Sequence, residues 1–152
     1  MAGCGVPRSA PVRYERVVGW GECDPAGVVY TPRFADYAVE AYHHFLGEII
    51  GRPLQKHLAE HGLGTPMKAM NFEFHRSLWP DEVFSIEIFV AEIRNRSFDL
   101  LLRASKADGE LAFTALLSPV CIKAEKRAAV PIPEFLRERL EAYAREVPRA
   151  QV

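Results

Sequence analysis

The sequence is short of most of the features that fix a function from composition alone. Its 152 residues include three cysteines, Cys4, Cys23 and Cys121. An odd, widely spaced set fits neither a disulfide framework nor a paired-thiolate zinc site, so a reducing compartment is the simplest setting. Charge of one sign is also missing: Lys+Arg number 19 and Asp+Glu 20, for a formal net charge of −1. The broad field that draws a protein to polyanions is therefore absent, and no nucleic-acid partner is expected, although a local arginine cluster could still hold a small anion. No stretch is apolar enough to span a bilayer, and the opening MAGCGVPRSAP lacks the apolar core of a signal peptide. A soluble, cytoplasmic protein with no membrane partner is expected. Repeats and long linkers are lacking too. Residues 12–146 are read as one domain, with 1–11 a flexible leading segment and 147–152 a flexible tail. At this length a chain buries roughly 68–70% of its unfolded surface, which makes a core without disulfides or metal.

What is present is strong periodicity. In VRYERVVGW, Val12, Tyr14, Arg16 and Val18 alternate with Arg13, Glu15 and Val17, which predicts a strand. Phe34, Tyr37, Ala38, Ala41, Tyr42, Phe45, Leu46, Ile49 and Ile50 then recur at helical spacing, predicting a long helix with a wide apolar face ended by Gly51 and Pro53. LQKHLAEHG predicts a short second helix. Four strands follow: KAMNFEFH, EVFSIEIFVAEI, SFDLLLRAS and LAFTALLSPVCIK, with Asp108-Gly109 as a hairpin turn and Pro119 marking a bulge or an edge. Pro133 suits the first turn of a closing helix that carries Leu136, Leu140 and Tyr143 on one face. This order implies an α+β fold, a mostly antiparallel sheet of about five strands wrapped around the long helix. A lone sheet of that kind leaves edges open, so a homo-oligomer, a dimer joining two sheets, is expected.

Four places could carry chemistry. Gly21-Glu22-Cys23-Asp24-Pro25-Ala26-Gly27 joins the first strand to the long helix, crowded with Gly and Pro and leading to a helix N-terminus that favours negative charge. Asp24 is either a turn or helix cap or a functional carboxylate; local pattern leaves both open. Arg94-Asn95-Arg96-Ser97 sits in a strand connection where two guanidiniums, an amide and a hydroxyl could hold phosphate, or simply face solvent. His57-Leu58-Ala59-Glu60-His61 matches the inverted zinc-protease pattern, but the short helix offers no third ligand, and an ordinary surface helix is the preferred reading. Cys23 lies between Glu22 and Asp24, whose charges work against a thiolate, so a packing role is preferred. No metal or cofactor is implied.

From Glu22 to Tyr30 the run ECDPAGVVY resembles the hotdog-fold acyl-CoA thioesterases of the 4-hydroxybenzoyl-CoA thioesterase family. The aromatic-rich helix, Gly64-Thr65-Pro66 and Arg94-Asn95-Arg96-Ser97-Phe98 follow in the family's order, and the likeness runs from about Val12 to Ile122. The resemblance implies a hotdog fold and hydrolysis of a CoA thioester, acyl or aryl, to a carboxylic acid and free CoA. It makes Asp24 the catalytic nucleophile or general base and the backbone amide of Thr31 the donor that polarises the carbonyl. Gly27 and Tyr30 become substrate-binding, and Arg94, Asn95, Arg96 and Ser97 become a nucleotide clamp reaching across a subunit interface. A dimer or a homotetramer built as a dimer of dimers is implied. In the enzyme that names the family, an aspartate on the long helix lies near the aryl end of the substrate. Val39 stands there in this chain, followed by Glu40, so a hydroxyl-reading contact is not carried over. Tyr37, Tyr42, His43 and Phe45 are the candidates for the acyl pocket. Two alternatives stay open, a non-catalytic acyl-CoA-binding module and a hotdog dehydratase that would need His43 or His44 close to Asp24.

Overall fold

The structure is a computed structural model and describes residues 8–149; the rest of the expected terminal segments, 1–7 with Cys4 and 150–152, lies outside the described residues. In chain order it has β1 (Val12–Val17), a 3₁₀ turn (Trp20–Glu22), α1 (Arg33–Ile50), α2 (Leu54–Glu60), β2 (Leu63–Gly64), β3 (Met67–Phe74), β4 (Val83–Ile93), β5 (Phe98–Lys106), β6 (Leu111–Pro119), β7 (Ile122–Lys123), β8 (Ala128–Ala129) and α3 (Glu134–Glu146). Five strands form an antiparallel sheet in the order β1-β4-β5-β6-β3, and β2, β7 and β8 form a small second sheet.

Helical period in α1 selects the buried face. Phe34, Tyr37, Ala38, Ala41, Tyr42, Phe45 and Leu46 are buried, with Gly47, and Ile49 and Ile50 are half-buried at the end. The ring of Phe34 meets Phe74 of β3 and Phe113 of β6, while Tyr37 meets Phe84 of β4. α1 also packs on β1. One helix therefore touches both outer strands, which requires the sheet to wrap around it. Each such ring contributes on the order of 1.5–3 kcal/mol by leaving water.

One local feature decides between two expectations and two depart from them. Pro119 marks a bulge and not an edge: it closes β6 opposite Met67, where Lys68 is the extra residue of a β-bulge, so the missing N–H falls where the ladder already breaks. Val147, expected in the tail, is buried and donates its amide to the Tyr143 carbonyl. At the other end, the Arg8 amide donates to Glu146 and its guanidinium pairs with Glu48, so the chain is held before β1 begins. Among the described residues no helix is long and apolar enough to cross a membrane.

β1 ends, α1 begins and β4 starts at one end of the sheet, whereas the β4–β5 turn lies at the other. β4 has 11 residues, a span of roughly 33 Å at ~3.3 Å per residue. The two loops that the sequence singles out are thus far apart within one chain.

Candidate active site

The acid loop is built by backbone hydrogen bonds. The Asp24 amide donates to the Val28 carbonyl, the Tyr30 amide to the Glu22 carbonyl, and Cys23 and Val29 form an antiparallel bridge, making a miniature hairpin. At its tip the Gly27 amide donates to the Asp24 carbonyl at 2.9 Å and the Ala26 amide to Asp24 Oδ1 at 2.9 Å. Pro25 suits the second position of such a turn, and Gly27 takes the left-handed φ of 84° that an L side chain resists. Asp24 does cap a turn, then, but with one oxygen. Its carboxylate has no cationic partner among the described residues.

The hairpin delivers the chain to α1. The Arg33 amide donates to Tyr30 and the Phe34 amide to Thr31. The Thr31 amide finds no acceptor among the described residues, so it is a spare donor one residue beyond the segment that pairs with Glu22. The loop thus contains an uncompensated carboxylate and a free amide. Thr31 also lines a cavity of about 340 Å³, with Phe34, Phe74 and Leu78 among its apolar walls and His75, Arg76 and Ser77 on its polar side. Gly27 lies beside Trp79, and both Trp79 and the Tyr30 ring are about half exposed.

The basic turn is built differently. Arg94 donates to both oxygens of Asp99, at 2.7 and 2.8 Å, and to Glu92 at 2.8 Å. Asp99 is buried and also accepts from Ser118, and the adjoining guanidinium holds its carboxyl below the usual carboxylate range. Arg137 donates to the carbonyls of Arg94 and Asn95, and Ser97 is buried with its hydroxyl 3.5 Å from Lys68 Nζ. Arg94 and Ser97 are therefore engaged within the fold. Arg96 is exposed and pairs with no described carboxylate; Asn95 is exposed beside it.

Several candidates move. Tyr37, Tyr42 and Phe45 do not line an acyl pocket, because all three are packed in the core; the Tyr42 hydroxyl donates to the Thr65 carbonyl. His43 is exposed, and His44 contacts Arg52 and the Tyr14 ring. His43 lies ten residues into α1, ~15 Å along the axis from Arg33, so neither histidine meets Asp24. His61 stacks on Phe135 at 3.9 Å, which engages its ring within the fold. Burial, and then Glu22 and Asp24, raise the Cys23 thiol above its ordinary range, and burial pushes Cys121 up to about 11, so neither is a ready thiolate.

Sequence reasoning overlooked two residues of the acid loop's surroundings. Trp79 is an aromatic exposed in a connection, next to Pro80. Glu22 joins Arg16 of β1, the Gly19 amide and the Tyr37 hydroxyl of α1. Its only sequence signal is position, beside the C-D-P-A-G run.

Comparison with known proteins gives a consistent result. A family model described as the thioesterase-like superfamily matches residues 18–140. The chain is 26% identical over 137 residues to the 1,4-dihydroxy-2-naphthoyl-CoA hydrolase of Thermosynechococcus vestitus, covering 90% of this chain and 93% of that one. It is 28% identical over 88 residues to the 4-hydroxybenzoyl-CoA thioesterase of a Pseudomonas species, covering 57% and 62%. The solved structure of a gentisyl-coenzyme A thioesterase matches with a TM-score of 0.76 at 26% identity, covering 85% of this chain and 99% of that one.

Proposed function

The chain belongs to the thioesterase-like superfamily, and on that premise we propose that it is a hotdog-fold hydrolase of acyl-CoA or aryl-CoA thioesters, with Asp24 and the Thr31 amide as its reacting groups. The observation that carries this reading is their shared setting: a carboxylate without a counter-ion and an amide without an acceptor, in one pinned loop. The thioester carbonyl oxygen takes the Thr31 N–H, which strengthens as charge develops, an effect worth about 3 kcal/mol for one donor. Asp24 attacks the carbonyl carbon and expels the CoA thiolate, leaving a mixed anhydride that water opens, or it takes a proton from water that attacks directly. Either course consumes one water and yields a carboxylate and free CoA. The Phe34, Phe74 and Leu78 walls of the cavity beside Thr31 suit the acyl group, with Gly27 and Tyr30 at its approach. No cofactor enters.

The clamp falls chiefly to Arg96 and Asn95, with Arg94 and Ser97 holding the turn in shape. Because the turn lies at the opposite end of β4 from the acid loop in its own chain, the clamp serves a neighbouring subunit. β3 is an open edge, and Phe74 at its end is half exposed. A second copy paired antiparallel along β3 brings its Lys68 end, and with it the basic turn, beside the first copy's Phe74 end. We therefore propose a homodimer joined at β3, or a pair of such dimers, working in the cytoplasm.

The test is free-thiol release from benzoyl, hydroxybenzoyl, phenylacetyl, short-chain and long-chain CoA esters. Release by the wild type and its loss in Asp24→Asn support the reading. A folded wild type that binds these esters and releases no thiol from any of them would establish the binding-module alternative.

A further inference from the structure

Asp24 and Thr31 do not hold themselves in place. Four constraints on their loop pass through one residue. Glu22 Oε1 accepts the Gly19 amide at 2.6 Å and the Tyr37 hydroxyl at 3.1 Å, Oε2 takes the Arg16 guanidinium, and the Glu22 carbonyl accepts the Tyr30 amide at 2.9 Å. Arg16 belongs to β1 and Tyr37 to α1, the two elements that the loop connects. The Glu22 side chain is only 14% exposed, and the Arg16 guanidinium lies 4.6 Å over the Tyr37 ring. Arg16 is tied in turn to Glu40, and Glu40 accepts the Tyr14 hydroxyl. Burial, followed by the adjacent Glu22 charge, raises the Tyr37 hydroxyl above its ordinary range, so it stays a donor.

We propose that Glu22 is a positioning residue for thioester hydrolysis, a strut that sets the spacing between the Asp24 carboxylate and the Thr31 amide by fixing both limbs of the loop to β1 and α1. The inference rests on Asp24 and Thr31 being the reacting groups. Its physical content is that the strut acts on the reacting geometry more than on substrate affinity. Misplacing a reacting group by ~1 Å costs up to about 10²-fold in rate, whereas the CoA clamp at Asn95 and Arg96 and the Phe34, Phe74 and Leu78 walls of the cavity lie off this loop and are unchanged. The network also has a built-in control. The hydroxyls of Tyr14 and Tyr37 both donate to glutamates that hold Arg16, but only that of Tyr37 bonds Glu22.

The experiment measures kcat and KM for 4-hydroxybenzoyl-CoA, or for the best ester of the panel, in Glu22→Ala, Glu22→Gln, Tyr37→Phe and Tyr14→Phe, with each variant's Tm. Glu22→Ala should lose about 50-fold in kcat with KM within about twofold of wild type. Glu22→Gln keeps an oxygen for Gly19 and Tyr37 and should recover much of that loss. Tyr37→Phe should lower kcat about fivefold, while Tyr14→Phe lowers Tm and leaves kcat unchanged. Where Glu22→Ala does not fold, the Gln variant and the two tyrosine variants decide the matter. Wild-type kcat in Glu22→Gln and Tyr37→Phe together, an equal fall in both tyrosine variants, or a KM that rises in step with the loss of kcat would overturn the strut. Asp24→Asn separates this from the premise: an active Asp24→Asn removes the assignment of the reacting groups, whereas an inactive one beside fully active Glu22 and Tyr37 variants removes the strut alone.

Discussion

The acid loop and the basic turn look alike in sequence, each a short polar run between regular elements, yet the fold treats them in opposite ways. In the acid loop backbone hydrogen bonds and the Glu22 side chain do the holding, and Asp24 keeps one oxygen and its charge uncommitted. In the basic turn the first guanidinium is itself part of the holding: beside the backbone bonds of the turn, Arg94 is taken up by Asp99 and Glu92, and Arg96 is left exposed. A charged residue in a loop is available for chemistry only when something else has already secured the loop. Asp24 meets that condition and Arg94 does not.

The comparison breaks most readily at the acid loop. Asp24→Asn should lower kcat by about 10³-fold or more while CoA-ester binding stays close to wild type; turnover near wild type would place the chemistry elsewhere. The donor is a backbone group, so Thr31→Ala should stay within a few fold of wild-type kcat, whereas Thr31→Pro, which removes the N–H, should lose about 10²-fold. Equal kcat in these two variants would remove the amide from the mechanism. At the basic turn the expected split is between neighbours. Arg96→Ala should raise KM about tenfold with Tm unchanged, and Arg94→Ala should lower Tm by several degrees with a much smaller change in KM. The reverse pattern would exchange their roles. The smallest effect is on pH dependence. Asp99 has a lowered folded-state pKa, so the stability it contributes is fully present above its unfolded value near 4 and is lost as pH falls through the lower folded value. The gap in Tm between wild type and Asp99→Asn should be widest near neutral pH and close in acid below about pH 4.

Legibility in the sequence followed the same division. Period carried α1, β1 and the alternation along β4 and β5, because burial on one face leaves a regular mark. It did not place β3 at the far edge, since strand order is decided by long-range pairing that no local window contains. It could not separate Tyr37, Tyr42 and Phe45 as core from the same residues as pocket, because a helix face reads alike against a sheet or a ligand. The C-D-P-A-G run was visible because turn chemistry is local. The engagement of Arg94 was not, since a bulge between Val90 and Glu92 shifts the register that sets Glu92 opposite Asp99. Glu22 was passed over for a related reason: its partners, Arg16 and Tyr37, are six residues before it and 15 after it.

One contact at the opposite side of the molecule concerns the order of events during synthesis. The Tyr143 hydroxyl accepts the Val12 amide at 2.8 Å and donates to the Ile88 carbonyl, so the outset of the first strand is completed by a residue 131 positions later. On a ribosome, β1 emerges early and cannot meet β4 until some seventy residues have followed, and its first amide stays bonded to water until α3 has left the exit tunnel. A nascent chain arrested short of Tyr143 should therefore remain open to protease at Val12, and release of the last turn of α3 is the step that seals it.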